Sequence, residues 1–192
     1  MVDPHVLLAA RVLWVLLPAF VANALATLPK GRGPPMDLGR LWPWDGRRIL
    51  GSSKTWSGFL AGTLLAVPVG LLQAYLILIA PSNLAIVSQF GPTVLASVPV
   101  VLLLTGGAMS GDALGSFIKR RLGAPSGART FLLDQLPFVL LPIAIGWFAF
   151  PSVFASTFNS LEAWAWLLVF TLGLHALFNY VGYWTGLKKV PW

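Results

Sequence analysis

The chain contains no cysteine. Disulfides, thiolate nucleophiles and cysteine-ligated zinc are therefore excluded. Histidine is almost as scarce: His5 and His175 are the only two, too few for a histidine-built metal centre. Charge is sparse as well, with 10% of residues Asp, Glu, Lys or Arg, against about a quarter in a soluble domain. Only six residues are acids, so a carboxylate beside an apolar run stands out. Oxygen is what remains to bind a metal, and oxygen ligands point to magnesium-like ions.

Hydrocarbon is what the chain has in abundance, at 57% hydrophobic residues. Apolar segments near 5–28, 56–80, 92–110, 131–150 and 161–184 are each near the roughly 20 residues a helix needs to span about 30 Å of bilayer. The expectation is an all-α polytopic integral membrane protein, one membrane domain over 1–192 with five transmembrane helices and cytoplasmic loops. The first span is a poor secretory signal, because its start carries Asp3 and His5 instead of basic residues. Arg11 and Asn23 interrupt it. Arg11 has Glu162 as a candidate partner in the bundle, and Asn23 is a candidate substrate contact.

All thirteen Lys and Arg except Arg11 fall in alternate connections. The 29–55 connection holds Lys30, Arg32, Arg40, Arg47, Arg48 and Lys54; the 111–130 connection holds Lys119, Arg120, Arg121 and Arg129; the tail holds Lys188 and Lys189. The connections at 81–91 and 151–160 hold none. The positive-inside rule then predicts a multi-pass cell-membrane protein with its N-terminus outside and its C-terminus cytoplasmic. A net charge of +7 placed this way argues for headgroups and phosphates, not for nucleic acid.

Chemistry concentrates in Gly111-Asp112-Ala113-Leu114-Gly115-Ser116-Phe117-Ile118-Lys119-Arg120-Arg121. On a helix, Asp112, Ser116 and Lys119 share one face over about two turns, with Arg120 on its flank. An acid, a hydroxyl and cations on one face suit phosphoryl transfer. A helix end facing headgroups would explain the Lys-Arg-Arg run alone, but has no use for Asp112. Asp134, beside Gln135, is expected about one turn into the fourth apolar helix, where an unpaired carboxylate costs several kcal/mol. A divalent cation shared with Asp112 would relieve that cost. In the last span, His175 and Asn179 stand at i and i+4 and are read chiefly as a hydrogen-bonded interhelical pair.

The stretch Gly46 to Gly58 invites comparison with a P-loop, but Ser52 and Ser53 separate Gly51 from Lys54 and the spacing fails. Its small residues and Lys54 still suit phosphate at a helix start, with Ser53 or Ser52 as a simple N-cap the competing reading. Asp37 sits among turn formers, as either an Asx turn or a contact to a nucleotide hydroxyl. Trp42 and Trp44 fit an interfacial aromatic belt.

Gly111-Asp112, Ser116, Lys119-Arg120 and Leu133-Asp134, together with Ser53-Lys54-Thr55-Trp56-Ser57-Gly58, resemble the signature of the integral-membrane CTP:phosphatidate cytidylyltransferases. Asp45-Gly46-Arg47-Arg48-Ile49-Leu50-Gly51 and Leu187-Lys188-Lys189-Val190-Pro191-Trp192 resemble that family's archaeal branch, the CDP-archaeol synthases, and the likeness runs over nearly the whole chain. The resemblance implies transfer of a cytidylyl group from CTP to an isoprenoid ether-linked phosphatidic acid (unsaturated archaetidic acid), with Mg2+ required and pyrophosphate released. It implies catalytic roles for Asp112, Asp134 and Lys119, with Asp112 and Asp134 holding the metal. Substrate contacts carried over or proposed beside them are Ser53, Lys54, Thr55, Ser116, Arg120, Arg121, Asp37 and Asn23. Pro137 stands where the family has a second acid, so one ion is carried over and a second is not. Membrane lipids are the remaining partner, with a homo-oligomer left open. The alternative class is a small transporter or channel for a phosphate-bearing solute, which would leave CTP unconsumed. A CDP-alcohol phosphotransferase is set aside, because Asp45-Gly46-Arg47-Arg48 has no second acid nearby.

Overall fold

The computed structural model describes residues 3–80 and 89–187. Lys188 and Lys189, and most of the 81–91 connection, lie outside the described residues. Among the described residues six α-helices follow in order, α1 (Pro4–Leu25), α2 (Trp56–Ile79), α3 (Val98–Arg121), α4 (Pro137–Ala149), the one-turn α5 (Phe154–Thr157) and α6 (Leu161–Trp184), with a 3-10 turn at Leu95–Ser97 leading into α3. Among the described residues there is no strand, only isolated bridges at Pro35–Thr55 and Leu41–Arg48. Helix starts follow local chemistry. Asp3, Thr55 and Ser160 cap α1, α2 and α6 by accepting from the amides of His5, Gly58 and Ala163. Gly123, at φ +82, closes α3 with a Schellman turn, Gly123 N to Arg120 O and Ala124 N to Lys119 O. The cap of α2 is therefore Thr55, not Ser52 or Ser53.

Among the described residues four helices, α1, α2, α6 and the Leu95–Arg121 unit that contains α3, are long and apolar enough to cross a membrane. The other two departures from expectation concern the third and fourth spans. The third helix runs on through the charged motif to Arg121 instead of ending near 110. The fourth begins only at Pro137, and residues 131–136 form turns before it. At 13 residues, α4 is about 20 Å long, short of the roughly 30 Å of hydrocarbon. Pro137 is the reason: its ring suits the first turn of a helix and disfavours helix before it. Asp134 therefore sits in the turn that precedes α4, not one turn inside a helix.

The core is apolar and centred on α1, whose Val12, Val15, Leu16 and Phe20 are buried with Val101 and Leu104 of α3 and Phe138, Val139 and Ile143 of α4. Outward faces are equally apolar: Leu64, Leu65, Leu72 and Ile79 of α2, and Val169 and Leu177 of α6, are exposed. Such a surface is stable in hydrocarbon and would aggregate in water. Small residues let α3 and α4 touch backbone to backbone. A Cβ on Gly111 would lie 2.1 Å from Pro137 O, one on Gly115 2.6 Å from Leu133 O, and one on Gly107 2.9 Å from Pro142 Cβ. Gly107 is thus a packing residue between α3 and α4.

The two long basic connections meet at one end of the bundle. Ser52 donates its amide to Ser126 Oγ at 3.1 Å, and Arg47 reaches the backbone of Arg121 at 2.9 Å. At the opposite end His5 Nδ1 lies 2.8 Å from Glu162 Oε1, and Trp166 also donates to that carboxylate. Glu162, the candidate partner of Arg11, thus draws on His5 and Trp166.

Candidate active site

A cavity of about 840 Å³ opens at the basic end. It is walled by the last turns of α1 and α6, the start of α2, the polar face of α3 and the turns at 127–135. Asn23, Ser53, Lys54, Thr55, Asp112, Ser116, Lys119, Arg120 and Asp134 all line it, so nine of the residues singled out in the sequence converge on one space. The helical period explains Asp112, Ser116 and Lys119. What the period does not encode is the partner of each acid. Lys54 Nζ lies 2.5 Å from Asp112 Oδ2, across 58 residues of chain. Lys119 Nζ lies 2.5 Å from Asp134 Oδ1 and also donates to Ala128 O at 3.1 Å. Asp134 Oδ2 accepts from the Thr130 amide at 2.7 Å, which fixes the carboxylate by closing its own turn.

Other polar side chains hold the walls together. Ser116 Oγ is buried and accepts the Gly51 amide at 3.0 Å, tying the 51–54 loop to α3. Thr55 Oγ1 caps α2 and lies 3.1 Å from Ser57 Oγ. Ser57 donates in turn to Arg32 O. Arg120 is buried, and its Nε has no hydrogen-bond partner among the described residues, which leaves the guanidinium available to an anion in the cavity. Asn179 Nδ2 is 3.0 Å from His175 Nδ1 along α6, His175 also stacks on Phe138 of α4 with centroids 6.4 Å apart, and both residues line the cavity. Lys30, Arg129 and Tyr180 line it too. No spacing in the sequence announced the contribution of Tyr180.

Two candidate substrate contacts face elsewhere. Asp37 and Arg121 do not line the cavity. The Asp37 side chain is wholly buried and takes Arg48 Nη2 at 2.6 Å and Nε at 3.2 Å, with the Leu50 and Gly39 amides each at 3.0 Å. The Gly39 bond is an Asx turn, so the turn reading of Asp37 describes its geometry. Burial pushes this carboxyl upward, but the Arg48 bond and the two amides outweigh burial and hold it below the usual range. The bond network therefore stabilises the fold fully above the unfolded-chain value of 3.8, and that contribution is lost as pH falls through the lower folded value. Asp37→Asn should lower unfolding stability by about 2 kcal/mol at neutral pH and flatten its acid dependence between pH 5 and 3. Thermal unfolding in detergent across that range measures both.

For a metal, the structure supplies oxygen donors and little else. Among the described residues no three His, Asp or Glu side chains cluster. Asp112 keeps Oδ1 outside its lysine pair, and Gln135 Oε1 is buried on the cavity wall with no hydrogen-bond partner among the described residues. This donor set suits magnesium, which binds through one or two carboxylates and keeps other positions for water and phosphate. It does not suit an all-protein cage.

An apolar helical bundle with a polar cavity at one end, walled by acids paired with lysines, is the make-up of a polytopic membrane protein whose polar side chains gather at that end. A family model described as CarS-like, CDP-archaeol synthase, matches residues 5–192. Curated CDP-archaeol synthases are similar over nearly their full length. That of Thermococcus gammatolerans is 43% identical over 94% of both chains, and that of Picrophilus torridus 36% identical over 98% of this chain and 99% of its own. That of Methanocaldococcus jannaschii is 40% identical over 94% and 95%. A solved structure described as an intramembrane enzyme for archaeal membrane lipids biosynthesis superposes with a TM-score of 0.58 at 35% identity, over 82% of this chain and 88% of that one. The chain belongs to the CDP-archaeol synthase family and is a membrane transferase of lipid biosynthesis.

Proposed function

We propose that this protein transfers a cytidylyl group from CTP to an isoprenoid ether-linked phosphatidic acid, the unsaturated archaetidic acid, giving a CDP-archaeol-type lipid and pyrophosphate. The observation that carries this reading is the pair of acid–lysine couples, Lys54–Asp112 and Lys119–Asp134, lining one cavity beside buried Arg120. Lysines and an arginine there can receive phosphate oxygens, while the two carboxylates keep the chamber from being a mere anion trap. A phosphate oxygen of the lipid attacks the α-phosphorus of CTP in line. The new P–O bond forms as the bond from that phosphorus to the bridging oxygen breaks, and pyrophosphate leaves with the electron pair. Both reactants are phosphates, so no side-chain nucleophile is required and the work is positioning and charge neutralisation. Lys54, Lys119 and Arg120 bind phosphate oxygens. Ser116 and Thr55 fix the loop and helix start that present Lys54, and Ser53 and Asn23, which also line the cavity, offer hydrogen bonds. Asp112 and Asp134, with Gln135 beside them, would hold Mg2+. When bound, the ion neutralises triphosphate charge and orients the leaving group.

The orientation follows from the basic connections: the cavity faces the cytoplasm, where CTP is found, in the cell membrane, with the N-terminus outside. The decisive test is purified protein with lipid phosphate and CTP, compared with ATP, GTP and UTP, with and without chelator. A CDP-lipid of the expected mass, formed with CTP and metal, is the expected result. Passage of phosphate across vesicles without CTP consumption would instead establish the transporter class.

A further inference from the structure

Arg47 and Arg121 are cations of the two basic connections that meet at the cavity end of the bundle, yet neither lines the cavity. Each instead grips the other's backbone. Arg47 Nη1 donates to the carbonyls of Arg121 at 2.9 Å and Arg120 at 3.4 Å. Arg121 Nη2 donates to the carbonyls of Arg48 at 2.5 Å and Arg47 at 3.4 Å, and its Nη1 to Asp45 Oδ1 at 3.0 Å. The Arg121 guanidinium also stands over the rings of Trp42 and Phe117, 5.5 and 5.1 Å from their centroids. The carbonyls that Arg47 takes belong to the last turn of α3, whose negative dipole end attracts cations; that of Arg120 also accepts the Gly123 amide of the Schellman turn. Gly123 beside them is required by its backbone at φ +82, and a Cβ there would also crowd the Arg47 guanidinium at 3.2 Å.

We infer that Arg47 and Arg121 are positioning residues, forming a reciprocal clasp that locks the 42–48 turn onto the end of α3. Its effect reaches the cavity by two routes. The last turn of α3 carries Lys119 and Arg120, so fixing that turn aims both. The other route runs through Arg48, whose side chain holds Asp37 while Asp37 holds the Leu50 amide, and Gly51 is then tied to Ser116. That chain delivers Lys54 to Asp112. The kinetic part of the inference rests on the reaction proposed above, but its structural part does not.

The test separates geometry from charge. A lysine keeps the charge but cannot fork across two carbonyls or stack as a plane. Arg47→Lys and Arg121→Lys should each speed hydrogen exchange at the amides of Leu122, Gly123 and Ala124. Each should lower kcat/KM for CTP by about 10–100-fold, the scale of a misplaced catalytic geometry, with kcat carrying most of the loss. Because each arginine needs the other's backbone in place, the double variant should be little worse than the poorer single one. Asp45→Asn weakens the Arg121 leg and the Arg47 amide bond that share Asp45 Oδ1 but leaves the carbonyl contacts of both arginines, so it should move both readouts the same way by a few fold, which serves if a lysine variant does not fold. Unchanged exchange in both lysine variants would overturn the clasp. So would an Arg121→Lys enzyme with wild-type kcat and only a raised KM, the pattern of a direct phosphate ligand. If the wild type shows no CTP turnover, the proposed reaction fails while the exchange data still decide the clasp.

Discussion

Asp112→Asn and Asp134→Asn should each lower CTP-dependent CDP-lipid formation by at least about a thousandfold, or about 4 kcal/mol of transition-state stabilisation. Asparagine keeps the shape of the side chain and removes the negative oxygen that a cation requires. It also leaves Lys54 or Lys119 without its carboxylate in a partly enclosed site. The lysines remain about one-quarter and one-eighth exposed, so water compensates and folding should survive. Thermal unfolding within a few degrees of wild type is the expected control. The two variants should differ in one respect. Asp134 also closes its turn through the Thr130 amide, so Asp134→Asn should unfold at a slightly lower temperature than Asp112→Asn. Rates measured over a wide range of magnesium separate the roles. A metal ligand shifts the half-saturating magnesium concentration upward, whereas a residue that merely holds a lysine lowers the rate at every concentration. Turnover near wild type in either variant would remove that carboxylate from the mechanism.

The sequence showed the polar face of α3 because helical spacing is local: Asp112, Ser116 and Lys119 had to share a side once the segment was helical. It also gave the end of the bundle where chemistry gathers, since lysines and arginines are expensive elsewhere. Three things were illegible for physical reasons. Charge has no direction in a sequence, so Arg121, which clasps the backbone, looks the same as Arg120, which lines the cavity. The same holds for part of Asp37: its Asx turn to Gly39 is local and legible, but its bonds to Arg48 and the Leu50 amide exist only once the loop has folded. Hydropathy does not distinguish an apolar turn from an apolar helix, so 131–136 reads as part of a span although Pro137 marks where the helix starts. Finally, the Lys54–Asp112 pair joins residues 58 apart, and no periodicity encodes a contact between a loop and a helix it meets only in the assembled bundle.

Replacing Gly111 with alanine should do more damage to the folded protein than any other methyl added to α3. The new Cβ would lie 2.1 Å from Pro137 O, 2.7 Å from Pro137 C and 2.9 Å from Phe138 Cα. All three are backbone atoms, so no side chain can rotate away and α3 must part from the start of α4. Overpacking of this kind costs about 1–3 kcal/mol, and more where backbone must move. Gly115→Ala, facing Leu133 O at 2.6 Å, should follow at a similar level. Gly106 and Gly173 supply the controls. A Cβ on the first meets only the Thr63 side chain at 3.6 Å, and on the second nothing within 4 Å. There alanine should be neutral or stabilising by a few tenths to about 1 kcal/mol, because it has the higher helix propensity. Unfolding temperatures of the four variants in one detergent decide the matter, and a Gly111→Ala protein as stable as Gly106→Ala would refute the close approach. The two close-contact variants should also lose activity out of proportion to their stability. The segment they push away carries Asp134, and its distance to Lys119 on α3 is set by the missing side chains of Gly111 and Gly115.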